Sequence, residues 1–209
     1  TDCTFSQNTA TNNGGGMVNR DSSSPAVTGC TFVSNDALAF PSYGGGMYNF
    51  TSCTPTVVNC TFSGNRATWG GGMGNYDASP VLKFCTLAEN VAIASGDNLF
   101  CTKSGGLPSV LTATNVIFWG SDLGGIDGNN GATMVFDTCV VQDGIGGTHI
   151  ITEDPKLGPL GDNGGPTWTR AILEGSSALD VATATTPVVS RDQRGYGRPA
   201  GLGSDIGAF

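Results

Sequence analysis

One pattern is written four times in this chain: CTFSQN from Cys3, CTFVSN from Cys30, CTFSGN from Cys60 and CTLAEN from Cys85, at intervals of 27, 30 and 25 residues. Counted from each cysteine, Thr4, Thr31, Thr61 and Thr86 stand at +1, and Phe5, Phe32, Phe62 and Leu87 at +2. Asn8, Asn35, Asn65 and Asn90 follow at +5 and Ala10, Ala37, Ala67 and Ala92 at +7, while Pro25, Pro55 and Pro80 precede a cysteine by five. A unit this short cannot bury an apolar face by itself, so it must stack on its own copies.

Between these segments lies Gly-Gly-Gly-Met, at Gly14 to Met17, Gly44 to Met47 and Gly70 to Met73, followed two residues on by Asn19, Asn49 and Asn75. The fourth copy decays to Ser95-Gly96-Asp97-Asn98, and weaker units continue around Asn115 to Phe118 and around Met134, Phe136, Cys139 and Val141. Short apolar alternations between Gly, Asn and Pro corners specify strands and turns, and 33 glycines in 209 residues argue against long helices. The expected fold is all-β: a right-handed parallel β-helix, or β-solenoid, of about six coils over residues 1–150, with a C-terminal cap over 151–209. At about 4.8 Å per coil, the rod is some 30 Å long.

Within C-T-F, Cys and Phe share parity and point inward while Thr faces out; Val27, Val57 and Leu82 point inward three residues before the cysteine. Cys3, Cys30, Cys60 and Cys85 then form one column, and Phe5, Phe32, Phe62 and Leu87 another. Asn8, Asn35, Asn65 and Asn90, like Asn19, Asn49 and Asn75, occupy corners where a carboxamide can both donate to and accept from its copy one coil away. The triple glycines permit positive φ and close approach of successive corners, and no Lys-Ser/Thr follows them to suggest a phosphate cradle.

A net charge of −8, from 9 basic and 17 acidic residues, argues against a nucleic-acid partner, whose backbone is bound by clustered Lys and Arg. No apolar run approaches the ~18 residues of a transmembrane segment, and the chain opens on polar sequence without a signal-peptide pattern, as expected of a processed, mature product.

Phe5-x-x-Asn8, Phe32-x-x-Asn35 and Phe62-x-x-Asn65, alternating with Gly-Gly-Gly-Met, resemble the FxxN and GGA(I/L/V) repeats of polymorphic outer membrane proteins, with GGGM in place of GGA(I/L/V). That resemblance spans residues 1 to about 101 and implies a surface β-helix passenger domain. Residues 153–209, with DPKLGPLGDNGGPTWTRAILEGSSALD, DQRGYGRP and DIGAF, are similar to the choice-of-anchor module that closes many secreted bacterial β-helix proteins. This second resemblance implies an exported bacterial product in which the module caps the last coil ahead of a sorting signal.

Seven cysteines in an exported chain invite disulfides, and adjacent coils bring Cα atoms to about 5 Å, within bridging range for pairs such as Cys3 with Cys30. The favoured reading is a column of buried thiols, because Cys3, Cys30, Cys60 and Cys85 hold a single inward position. No CxxC suggests zinc, and the only histidine, His149, reads as structural. Asp122, Asp127 and Asn129 lie on a glycine-rich turn whose oxygens make a weak Ca²⁺ candidate; no other cofactor is expected. Arg191, Asp192, Arg194 and Arg198, near Asp205, read as an ion-pair clasp that pins the cap. Asn49-Phe50-Thr51 and Asn59-Cys60-Thr61 match N-glycosylation sequons, and an outward threonine column could carry O-glycans.

The paired aspartates and Gly-His-Gly of pectin-cleaving β-helices are missing from the sequence, so catalysis is not expected. The expected protein is a non-catalytic structural or adhesive solenoid, secreted and cell-surface associated, presenting its Thr/Ser/Asn face to a glycan or other surface ligand. End-to-end stacking into a homopolymer is a further expectation. The alternative is a polysaccharide-binding or polysaccharide-cleaving β-helix.

Overall fold

Each repeat folds as one coil of short strands separated by corners, and each strand lies directly above its copy. In the first coil these are Thr4–Ser6 (face 1), Thr9–Ala10 (face 2), Met17–Asn19 (face 3) and Ala26–Thr28 (face 4). The computed structural model describes residues 1–105, 107–122 and 124–209, and no helix occurs among them.

All ladders between coils are parallel and keep the register of the repeats. Phe5 pairs with Phe32, Phe32 with Phe62, Phe62 with Leu87 and Leu87 with Phe118 on face 1. Met17, Met47, Met73, Leu99 and Ile126 are likewise consecutive partners on face 3, and Val27, Val57, Leu82, Ala113 and Phe136 on face 4. Like residues meet because every coil presents the same apolar side to the axis, and a one-residue slip would turn the column to water. The main core is made of these columns. Along it the rings of Phe5, Phe32 and Phe62 stack at 4.6 and 4.5 Å, with interplanar angles of 3°.

Among the described residues four coils carry strands on all four faces, the fifth carries them on faces 1, 3 and 4, and the sixth is only begun. Thr133–Val141 passes from face 4 into face 1 as one strand, and the next strand, Thr148–Ile151, stacks straight back onto it through Asp137 with Thr148 and Cys139 with Ile150. The few residues between Val141 and Thr148 cannot travel round faces 2 and 3, so they cross the end of the rod instead. Ile145 and Ile150 pack on the core there. Among the described residues the last strand of face 2 is Val91–Ser95, in coil 4.

The end cap expected of residues 151–209 is instead a cover along the flank. An antiparallel hairpin, Leu157–Gly161 with Thr169–Ile172, and the irregular chain after it run back outside face 1. The cover bonds to coil 2 through Thr31, coil 3 through Thr61 and Ser63, coil 4 through Thr86, and coil 5 through Asn115. The reason is a second apolar seam. In coils 5 and 6 the outward +1 position is Ile117 and Val140, both 0% exposed against Ile172, Ala178 and Ile206 of the cover.

Candidate functional site

The inward positions form the structural columns. Among the cysteines Cys3 is exposed and the other six are buried, all as free thiols. Cys30, Cys60 and Cys85 each donate to the carbonyl two residues upstream, on Thr28, Val58 and Lys83, at 3.4, 3.2 and 3.3 Å. Cys139, in register one coil beyond Val116, rejoins the column and donates to Asp137 O at 3.5 Å. The Cys60 contact followed by burial pushes Cys30 up, and burial pushes Cys60 up and Cys101 and Cys139 up to about 12. Thiols held neutral in this way are poor nucleophiles.

The corner asparagines build two ladders. Nδ2 of Asn8 donates to Oδ1 of Asn35, Asn35 to Asn65 and Asn65 to Asn90, at 2.9, 2.8 and 2.8 Å. Coil 5 has Ser121 in place of the next asparagine, and Asn98 of coil 4 fills the slot, accepting from Asn90 at 2.9 Å and donating to Ser121 Oγ at 2.7 Å. This explains the decayed fourth glycine corner. A Cβ on Gly45 would stand 2.4 Å from Arg66 N and one on Gly71 2.6 Å from Val91 N, each at the start of the next face-2 strand, whereas among the described residues no face-2 strand lies beyond Val91–Ser95 to crowd Asp97. Only the first glycine, which needs positive φ (64° at Gly14, 65° at Gly44, 66° at Gly70, 71° at Gly96), survives in all four copies. The second ladder runs Asn19 to Asn49 to Asn75 at 2.8 Å per step and ends on the Cys101 thiol at 3.5 Å.

The threonine column is not the displayed surface that its parity suggests. Thr31 and Thr61 are 0% exposed and Thr86 is 1% exposed, all beneath the cover; only Thr4 faces solvent. Gln193 lies across them: its Oε1 accepts from Thr61 Oγ1 at 2.7 Å, and its Nε2 donates to Thr31 Oγ1 and Thr167 Oγ1 at 2.9 Å. Asn49 and Asn59 of the two sequons are buried as well.

The arginine clasp is also rearranged. Asp192 pairs with Arg194 inside its own loop at 2.6 Å. Arg198 donates to Asp205 O and Gly207 O and stacks 4.3 Å over the Phe84 ring, with burial lowering it to about 10. Among the described residues the ion pair that reaches the solenoid is Arg170 with Glu89, flanked by Arg170 Nη2 on Ser63 Oγ at 2.9 Å.

Of the three calcium candidates, Asp127 has a side-chain oxygen engaged by another side chain, whereas the contacts of Asn129 and Asp122 are made by their backbone N–H groups. Asp127 accepts from Ser95 Oγ at 2.6 Å, the Asn129 amide donates to Cys101 O at 3.0 Å, and Asp122 is exposed with its amide on Asp97 Oδ2 at 2.8 Å. Among the described residues no three His, Cys, Asp or Glu side chains converge as a metal site would need. His149 meets Asp137 on the neighbouring strand at 3.5 Å, with both side chains substantially exposed.

A feature absent from the expectations lies on the outer side of face 3. In Met47–Phe50 and Met73–Tyr76, Met and Asn point inward, so Tyr48, Phe50 and Tyr76 point out. Tyr43, just before its glycine corner, lies over Gly74, where a Cβ would come within 3.1 Å of Tyr43 Cβ. The Tyr43 ring sits 5.1 Å from Trp69, 5.6 Å from Tyr48, 5.9 Å from Tyr76 and 5.9 Å from Phe100. Phe40 stacks on Trp69 at 6.1 Å and is 77% exposed. Burial first, then neighbouring phenols, raises the Tyr43 and Tyr48 hydroxyls above the ordinary phenol range. A groove of about 300 Å³ borders it, lined by Asn12, Asn13, Val18, Arg20, Tyr48 and Phe50. The signal was present in the sequence as aromatics at outward positions, one and three residues after the methionine and directly before the glycines.

A family model described as "Right handed beta helix region" matches residues 1–106. The chain belongs to the right-handed β-helix family. No curated protein and no solved structure matches it. In this β-helix the aromatic cluster falls wholly inside the matched coils, and the flank cover lies wholly beyond them.

Proposed function

We propose that this β-helix is a non-catalytic adhesive scaffold exposed on, or shed from, a bacterial cell surface, and that the aromatic side of face 3 is its contact surface. The observation that carries this reading is the external cluster of Tyr43, Tyr48, Trp69, Tyr76 and Phe100 crowned by the exposed ring of Phe40. The core closes on the inner side of the same strands, so these rings are not its filling. Within the cluster Tyr48 and Phe100 are buried and Tyr43, Trp69 and Tyr76 half-buried, so what meets solvent is chiefly the Phe40 ring with the outer edges of its neighbours, and an exposed aromatic rim of this kind marks a place of contact. Stacked coils hold the rings on a stiff support, so little ordering entropy is lost on binding. Resemblance of the FxxN/GGGM repeats to surface passenger domains, and of the tail to anchor modules, supports the extracellular placement.

Retention of the purified chain on immobilised bacterial and host-cell surface polysaccharides tests this reading. Phe40→Ser and Tyr43→Ser should lower retention about tenfold with little change in melting for Phe40→Ser. Equal retention of both variants, or release of reducing ends or unsaturated sugars from a bound polysaccharide, would overturn it.

A further inference from the structure

We infer a separate binding site for a neutral sugar ring in the cleft between Trp168 of the cover and the first two coils. The cleft has a volume of about 410 Å³ and is lined by Thr4, Ser6, Gln7, Val33, Ser34 and Trp168. That volume lies toward the small end of the ~300–1,000 Å³ typical of ligand pockets and suits one or two pyranose rings.

The wall is a tryptophan held in place while half its surface stays in water. Trp168 is 52% exposed, yet its carbonyl accepts from Thr31 Oγ1 at 2.5 Å and from Gln193 Nε2 at 3.2 Å. Its neighbour Thr167 donates to Gly29 O at 2.7 Å. Ordering an indole at a surface without burying it is unfavourable in the isolated chain, and a preorganised aromatic wall is what a stacking ligand needs.

The floor is polar and uncharged. Gln7 and Ser34 occupy the left-handed corner of each coil, at φ 54° and 53°, and with Thr4 and Ser6 they expose three hydroxyls and one carboxamide. Among the described residues no Asp, Glu, Lys, Arg or His lines the cleft, so a charged ligand would find no counter-charge there. A purely apolar ligand would desolvate the hydroxyls without replacing their hydrogen bonds. A neutral sugar meets both walls at once, its C–H face on the electron-rich indole and its hydroxyls on Thr4, Ser6, Gln7 and Ser34.

The equivalent shelf two coils along marks what is special here. At Ser63 and Glu89 the cover inserts its own Arg170, which bonds to both. At the corresponding shelf of coils 1 and 2 the cover residue that lines the cleft is Trp168, and the shelf remains open to solvent.

The test titrates the full chain with neutral gluco-, manno-, galacto- and xylo-oligosaccharides, with oligogalacturonate as the charged comparison, followed by calorimetry. At least one neutral oligosaccharide should bind at millimolar concentration or better. Trp168→Ala should weaken it about tenfold, Trp168→Phe should restore part of the loss, and Gln7→Ala should weaken it about threefold, all with unchanged melting. Phe40→Ser should leave it unaffected, which separates this site from the aromatic face. Failure of every neutral oligosaccharide to bind, equal binding by Trp168→Ala, or oligogalacturonate binding as tightly as the neutral series would overturn the assignment.

Discussion

Asn65 uses its whole carboxamide inside the stack. Nδ2 donates to Asn90 Oδ1 at 2.8 Å and to Phe32 O at 2.9 Å, while Oδ1 accepts from Asn35 Nδ2 at 2.8 Å and Asn35 N at 3.0 Å, with Asn65 itself 0% exposed. Asn65→Ala strands several buried partners at once, at about 1–3 kcal/mol for each group left unsatisfied, so a loss of at least ~3 kcal/mol is expected in urea unfolding. The exposed rung Asn8 has less to lose, and Asn8→Ala should cost under about 1 kcal/mol. Equal effects at the two positions would mean that the ladder does not stabilise the coils. The rungs were legible because identical residues recur at one offset. Their diversion through Asn98 was not, since it goes with the described face-2 ladder ending at coil 4, which follows from where the chain turns rather than from any residue in the rung.

At the scale of elements, the flank cover was the least legible part. Threonine is stable on a strand whether it faces water or a hydrogen-bonding partner, so Thr31, Thr61 and Thr86 read as solvent-facing until the chain lying over them is known. Ile117 and Val140 at the same outward position were the available signal, because water does not select isoleucine and valine there. Attachment of the cover concentrates in Gln193, which is 2% exposed and joins Thr61, Thr31 and Thr167. Gln193→Ala removes a buried acceptor and donor together and should loosen the cover without dissolving the columns beneath it. Limited proteolysis should then cut within residues 152–209 at least about tenfold faster, consistent with a local loss of ~1.4 kcal/mol or more, while cleavage within the coils stays slow. Equally accelerated cleavage of both regions would mean that cover and solenoid unfold as one unit.

Over the whole molecule, stability should be graded along the axis. Each coil touches only its neighbours, so its protection depends on what stands above, below and outside it. Face 1 of coils 3 and 4, Thr61–Ser63 and Thr86–Ala88, has a coil on either side, fully buried Phe62 and Leu87 within, and the cover without. Thr4–Ser6 has its one described ladder to coil 2, an only partly buried Phe5 and no cover over Thr4. Amide hydrogen exchange should therefore be slowest at Thr61, Phe62, Thr86 and Leu87 and fastest on this face at Thr4 to Ser6. Face 3 separates the two contributions, since it shares the coil stacking but lies away from the cover. In Gln193→Ala, exchange should accelerate along face 1 of coils 2 to 4 while Met47–Phe50 and Met73–Tyr76 keep their protection. Uniform exchange across the coils would show that the rod opens in a single step, and faster exchange on both faces of the variant would show that the cover stabilises the rod as a whole.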